Sequence, residues 1–171
     1  MCIIIDTNTF TKVFDHDNAE HPNFKPVYDW IIRNKGYLVI GGSKYKQELG
    51  LIKSSDGKRR LNASRILLEL KIKNIKITNI DDEKVDKYQQ SIQHKINSPD
   101  FDDPHIIALA VISKCKLICT SEIRALPFFS DKSLYPKNFK LPNTYRGTRD
   151  KQKLTTNCLN PCKELNRKQK K

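Results

Sequence analysis

Four short apolar runs, separated by stretches of helical period, restrict this chain to a narrow set of architectures. Cys2-Ile3-Ile4-Ile5 is one such run and Tyr37-Leu38-Val39-Ile40 a second. Ile75 and Ile77 alternate with Lys76 and Thr78, and a fourth strand is predicted over residues 116–120. Continuous apolar runs of this length suit strands buried on both faces. Between them, Val27, Trp30 and Ile31 recur at helical spacing within 25–35, and Gly36 is placed to stop that helix. Gly41-Gly42 breaks the second strand, and Ser43 is placed to cap a helix that carries Glu48. Ile66, Leu67 and Leu70 share a face over 62–70. Asp81-Asp82-Glu83 opens a further helix with Val85, Tyr88, Ile92 and Ile96 on one side, its acids at the positive end of the dipole. Beyond a turn-rich stretch at 97–103, Pro104 suits a first helical turn. The helix it opens is apolar almost all round through Ile112, and hence buried. Strands alternating with helices predict an α/β fold with a parallel sheet.

A length of 171 residues fits one domain. The formal net charge of +13 is large for that size and points to a polyanionic partner. Nucleic acid is the first choice and an anionic membrane surface the second. Residues 146–171 hold 9 Lys and Arg against 2 Asp and Glu, about half of the whole excess. The expected organisation is therefore a folded unit over 1–145 and a basic, flexible tail over 146–171. A turn-rich loop at 54–57 leads into Lys58, Arg59 and Arg60. With Arg65, Arg146 and Arg149 these are candidate contacts to a nucleic acid; a solvated charged face is the plain alternative. No apolar stretch approaches the roughly 20 residues that span a bilayer. The chain starts on a strand without a basic leader, so a cytoplasmic protein without membrane attachment is expected. Of five cysteines, Cys2, Cys115 and Cys119 sit in or beside apolar runs and are expected as free, packed thiols. Cys158 and Cys162 form a C-x3-C pair that lacks two further zinc ligands nearby.

Acidic residues fall where a parallel sheet would deliver them to one edge. Asp6 ends the first run, and Thr120-Ser121-Glu122 ends the last. Asp100, Asp102 and Asp103 precede the buried helix, and Glu48 lies in the helix after the second strand. Ligands of open α/β sheets bind beyond the carboxyl ends of the strands. Carboxylates crowded there repel one another unless a cation neutralises them. Hard oxygen donors suit Mg²⁺ or Mn²⁺.

These residues resemble the PIN-domain ribonucleases, VapC-like toxins among them. The likeness rests on Asp6-Thr7-Asn8 after the first strand, Glu48, the D-P-H-I-I-A-L-A run from Asp103, and Thr120-Ser121-Glu122, in order over residues 1–129. The resemblance implies a three-layer, Rossmann-like sheet and a Mg²⁺- or Mn²⁺-dependent endoribonuclease. Asp6, Glu48 and Asp103 would hold metal, and Glu122 stands where the family commonly has Asp. Asn8 would support Asp6, Thr120 would orient the cluster, and Asp100 or Asp102 would assist. It also implies RNA as substrate, an antitoxin or other protein as partner, and pairing into homodimers.

Each residue has a plainer reading too. Asp6 could cap a turn, Glu48 could lie on a solvated helix face, Asp103 could cap its helix and Glu122 could sit at a helix start. His105 reads as a helix-surface histidine. His16, His21 and His94 are scattered and receive no role. A phosphatase of the haloacid dehalogenase type would need a second Asp where Asn8 stands. A response-regulator receiver would need a late Lys that has no match. A non-catalytic RNA-binding module with a degenerate site is the main competitor.

Overall fold

The computed structural model describes residues 1–33, 35–52, 63–96, 101 and 103–155. It is an α/β structure with a central sheet of five parallel strands flanked by helices, a three-layer, Rossmann-like arrangement. The strands are β1 (Cys2–Ile5), β2 (Tyr37–Gly41), β3 (Ile77–Ile80), β4 (Leu117–Cys119) and β5 (Asn143–Tyr145). Their spatial order is β3-β2-β1-β4-β5. The chain therefore winds outward from β1 in one direction, then returns and continues on the other side. β1 and β4 flank the point of reversal, where the connections diverge and leave a crevice at the carboxyl edge.

Burial follows the apolar pattern. All four residues of β1 are buried, as the central strand requires. Helix α6 (Pro104–Ser113) lies against β1, β2 and β3 and packs with α5 (Asp82–Gln93). Only Ile112 of α6 is not buried, which explains its lack of a polar face. Helices α3 (Ser43–Leu51) and α4 (Ala63–Ile72) join β2 to β3.

Two helices lead from β1 to β2. Helix α1 (Thr7–Phe14) begins directly after the first strand and buries Phe10, Val13 and Phe14. Helix α2 (His21–Ile32) starts four residues earlier than its apolar spacing indicated, with Pro22 in its first turn, and ends before residue 35. A Cβ on Gly36 would fall 1.7 Å from the Trp30 ring, so the chain after α2 can close over that indole only with glycine there. Ser43 is the first residue of α3 and not its cap. The capping position falls to Gly42, and Asp86 takes both the Ser43 N–H and its hydroxyl.

Residues 146–155, where the basic segment starts, continue from β5 into a 3-10 helix over Thr148–Lys153 beside α2. Asp150 accepts from the Arg146 N–H and pairs with Lys153, and the Tyr145 hydroxyl donates to the Asn23 carbonyl. Residues 156–171, including Cys158 and Cys162, lie outside the described residues, as do the loop at 54–57 and Lys58, Arg59 and Arg60. Cys115 and Cys119 are buried thiols, as expected. Cys2 is disulfide-bonded, which corrects its reading as a free thiol. Among the described residues, no helix is long and apolar enough to cross a membrane.

Candidate metal centre

The reversal of strand order builds the site. Asp6 follows β1 and Thr120 follows β4, and the Asp6 N–H donates to the Cys119 carbonyl at 2.9 Å. That pairing sets Asp6 and Thr120 side by side. The Thr120 hydroxyl donates to Asp6 Oδ2 at 2.7 Å, and the Asn8 N–H donates to Asp6 Oδ1 at 3.3 Å. Asp6 thus does cap α1, as its plainer reading held, while lying fully buried. Asn8 supports it through its backbone. Burial raises the pKa of Asp6, and the two hydrogen bonds offset only part of this.

Glu48 comes from α3, which is tied to β1 by a fully buried tyrosine. The Tyr45 hydroxyl donates to the Ile5 carbonyl at 2.6 Å, one residue before Asp6. The Thr7 hydroxyl donates to Glu48 Oε2 at 2.8 Å. Burial pushes the Glu48 pKa up, but His105, Thr7 and Lys44 outweigh it, and the carboxyl sits below its ordinary value. The charge of Glu48 adds to the rise of Asp6, while His105, Thr7 and Lys44 take Glu48 the other way, so two neighbouring carboxyls depart from their ordinary values in opposite directions.

Asp103 caps α6 by position, but its side chain makes no capping hydrogen bond. With Thr7, Asn8, Glu48, Leu51 and Ile52 it lines an open depression. Ligand atoms of Glu48, Asp103 and His105 all lie within 4.8 Å of one another, close enough to share one ion.

His105 is the residue that sequence reasoning misplaced. It is fully buried, with Nε2 3.2 Å from Glu48 Oε2 and Nδ1 3.9 Å from Asp103 Oδ1. A signal was present, since a helix apolar on every side leaves no surface face for a histidine.

Glu122 stands apart from this group. Its carboxylate is held by the Arg124 guanidinium at 3.1 Å, and that pairing keeps its pKa low. Its backbone N–H nonetheless donates to the Thr120 hydroxyl. Asp100 and Asp102 lie outside the described residues. Arg65 is exposed on α4 and pairs with Glu69. Arg146 and Arg149 line a shallow depression beside Asn23. Because the Thr120 N–H donates to the Tyr145 carbonyl, Arg146 leaves the same sheet edge as Asp6.

Thr120 joins both halves of the sheet edge, so its hydroxyl is a sensitive point. Thr120→Val keeps the shape but strips a donor from a buried carboxylate. Hydrogen bonds to charged groups contribute about 1.5–3 kcal/mol. Urea unfolding of the variant should show a loss of that order with an unchanged m-value.

No protein-family model matches this chain, and no curated protein matches it. What defines its class is the fold and the site together: a parallel α/β domain with two carboxylates and an imidazole clustered, and a third carboxylate beside them, at the reversal of strand order.

Proposed function

We propose that this protein is a metal-dependent endoribonuclease of PIN type that hydrolyses RNA phosphodiester bonds. The observation that supports the reading most is the meeting of Glu48 and Asp103 in one depression, with Asp6 buried behind it and close enough to feel the charges of His105 and Glu48. The donor set fits a divalent cation. Two carboxylates and an imidazole sit within reach of one ion, and Asp6 is a buried carboxylate that a cation would relieve. Glu48, Asp103 and Asp6 would hold Mg²⁺ or Mn²⁺. Such an ion, when bound, activates water and offsets charge developing on phosphate.

The protein's own groups do the positioning. Thr120 and the Asn8 N–H fix the Asp6 carboxylate, Thr7 fixes Glu48, and Tyr45 fixes the approach of α3 to β1. Arg146 and Arg149, beside the same edge, supply positive charge for a phosphate backbone. The preference for RNA, an antitoxin partner and homodimer formation belong to this proposal as its finer parts.

A second reading, an RNA-binding module without catalysis, is favoured by one observation: Glu122 is engaged by Arg124 and not by the cluster. A cleavage assay on mixed RNA with Mg²⁺, Mn²⁺ and EDTA arms, followed by end-group mapping, decides between them. Cleavage confined to the metal arms, leaving 5′-phosphate and 3′-hydroxyl ends, is the expected result. RNA retained on filters but uncut in every arm would establish the binding module instead. Neither retention nor cleavage would remove nucleic acid from consideration altogether.

A further inference from the structure

We propose that His105 is itself a metal ligand, so that the site takes a first-row transition ion in preference to Mg²⁺. The inference deepens the metal-centre reading of the same cluster and rests on it. A carboxylate cluster alone would not carry it; the imidazole does.

His105 has no exposed surface, and neither ring nitrogen makes a well-formed hydrogen bond among the described residues; its nearest polar approach is the 3.2 Å ion-pair contact of Nε2 with Glu48 Oε2. That contact with Glu48 Oε2 is not aligned as a hydrogen bond, although it is close enough to hold the Glu48 pKa down. A buried ring whose two nitrogens lack aligned hydrogen bonds is left poorly satisfied unless something else engages it. Nε2 is the nitrogen nearer a carboxylate and the one that would bind an ion shared with Glu48, which leaves Nδ1 3.9 Å from Asp103 Oδ1.

The spacing suits coordination. Two donor atoms bound to one ion at about 2.1 Å in adjacent positions lie about 3.0–3.4 Å apart. The separation of Nε2 and Oε2, 3.2 Å, falls inside that interval. Imidazole nitrogen is a borderline donor that favours first-row transition ions, whereas Mg²⁺ keeps to oxygen ligands and water. A cluster that contributes a nitrogen at its buried end therefore discriminates against Mg²⁺. Position supports this as well. His105 sits in the first turn of α6, two residues after Asp103, so one helix start supplies both a nitrogen and an oxygen.

The test is electron spin-echo envelope modulation of Mn²⁺ bound to the full chain. The expected spectrum carries ¹⁴N modulation from a coordinated imidazole. Growth on ¹⁵N-histidine should replace it with the ¹⁵N pattern, with no substitution that could disturb folding. His105→Gln should abolish the modulation and weaken Mn²⁺ binding by about tenfold or more. Its loss of Mg²⁺ binding should be smaller. Bound Mn²⁺ without nitrogen modulation overturns the role of His105 while leaving the carboxylate site intact. Mn²⁺ binding no tighter than in Glu48→Gln overturns the metal centre as a whole. Nitrogen-coordinated Mn²⁺ in a protein that cuts no RNA upholds this inference and sinks the nuclease reading alone.

Discussion

Asp6→Asn should reduce metal-dependent RNA cleavage by about a thousandfold, roughly 4 kcal/mol of barrier, and yet raise the melting temperature of the metal-free protein. Both effects come from one buried carboxylate. Asp6 is fully buried and feels the charge of Glu48, so its ionised form is disfavoured. Asn keeps the shape and an oxygen to accept from the Asn8 N–H, and its amide can meet the Thr120 hydroxyl. The charge disappears, and with it any hold on a cation. Relief of one unfavourable buried group gives about 0.5–2 kcal/mol. In a domain of this size that is a few degrees of melting temperature. The pH dependence has a definite sign. A carboxyl whose folded pKa lies above its unfolded value of about 3.9 binds the extra proton in the folded state. Wild-type stability therefore falls as pH rises through that window, and the full penalty remains at neutral pH. In EDTA, the gap between variant and wild type should be widest near pH 7 and close as pH approaches 4. Saturating Mn²⁺ should reverse the order, because only the wild type gains binding energy from the ion. A variant that melts below wild type in EDTA at every pH would mean that Asp6 acts as a structural cap and not as a strained ligand.

The parts of this molecule that were legible in its sequence are those where local pattern and tertiary role agree. β1, β2 and β4 are apolar because they are buried on both faces, so composition alone reveals them. The positions of Asp6 and Asp103 could be read because a strand end and a helix start fix them, and that of Glu48 because it follows β2 within one short helix. Helix α1 was not legible. Its sequence Thr-Asn-Thr-Phe-Thr-Lys-Val-Phe is rich in residues of low helix propensity, and it forms because Asp6 caps it and its apolar side chains bury. Strand β5 is only Asn143-Thr144-Tyr145 and carries no apolar run; the edge of β4 creates it by pairing. β3 runs over Ile77–Ile80, two residues later than the alternation from Ile75 suggests, because register is set by pairing with β2. The place of Glu122 after β4 was legible, but its contact was not. Nothing in local pattern shows that Arg124 turns back to hold it.

Gly41→Ala should lower stability by about 3 kcal/mol or more, a large loss for the addition of one methyl group. Gly41 closes β2 at φ +155°, and a Cβ there would lie 2.7 Å from the Ile80 carbonyl oxygen and 2.8 Å from the Ile80 Cβ. Ile80 is its partner in the parallel ladder, so the obstruction is backbone that cannot swing away. Backbone strain of this kind costs about 1–3 kcal/mol, and overpacking adds about 1–3 kcal/mol. Gly42 follows at φ +85° and gives its N–H to Asp82, so the turn has no slack on its other side. At roughly 2–4 °C per kcal/mol for a domain of this size, the melting temperature should drop by about 6–12 °C. Helix α3, which this turn starts, offers a control. Gly50 has open space around its missing Cβ, and Gly50→Ala should stabilise by about 0.5–1 kcal/mol. The contrast matters for the site because the turn at Gly41 and Gly42 decides where α3 begins, and Glu48 lies in its second turn. Gly41→Ala should therefore weaken Mn²⁺ binding even at temperatures where the variant is fully folded, whereas Gly50→Ala should leave it unchanged. Equal metal affinity in the two folded variants would show that Glu48 is positioned by Tyr45 and Thr7 alone, without help from the turn.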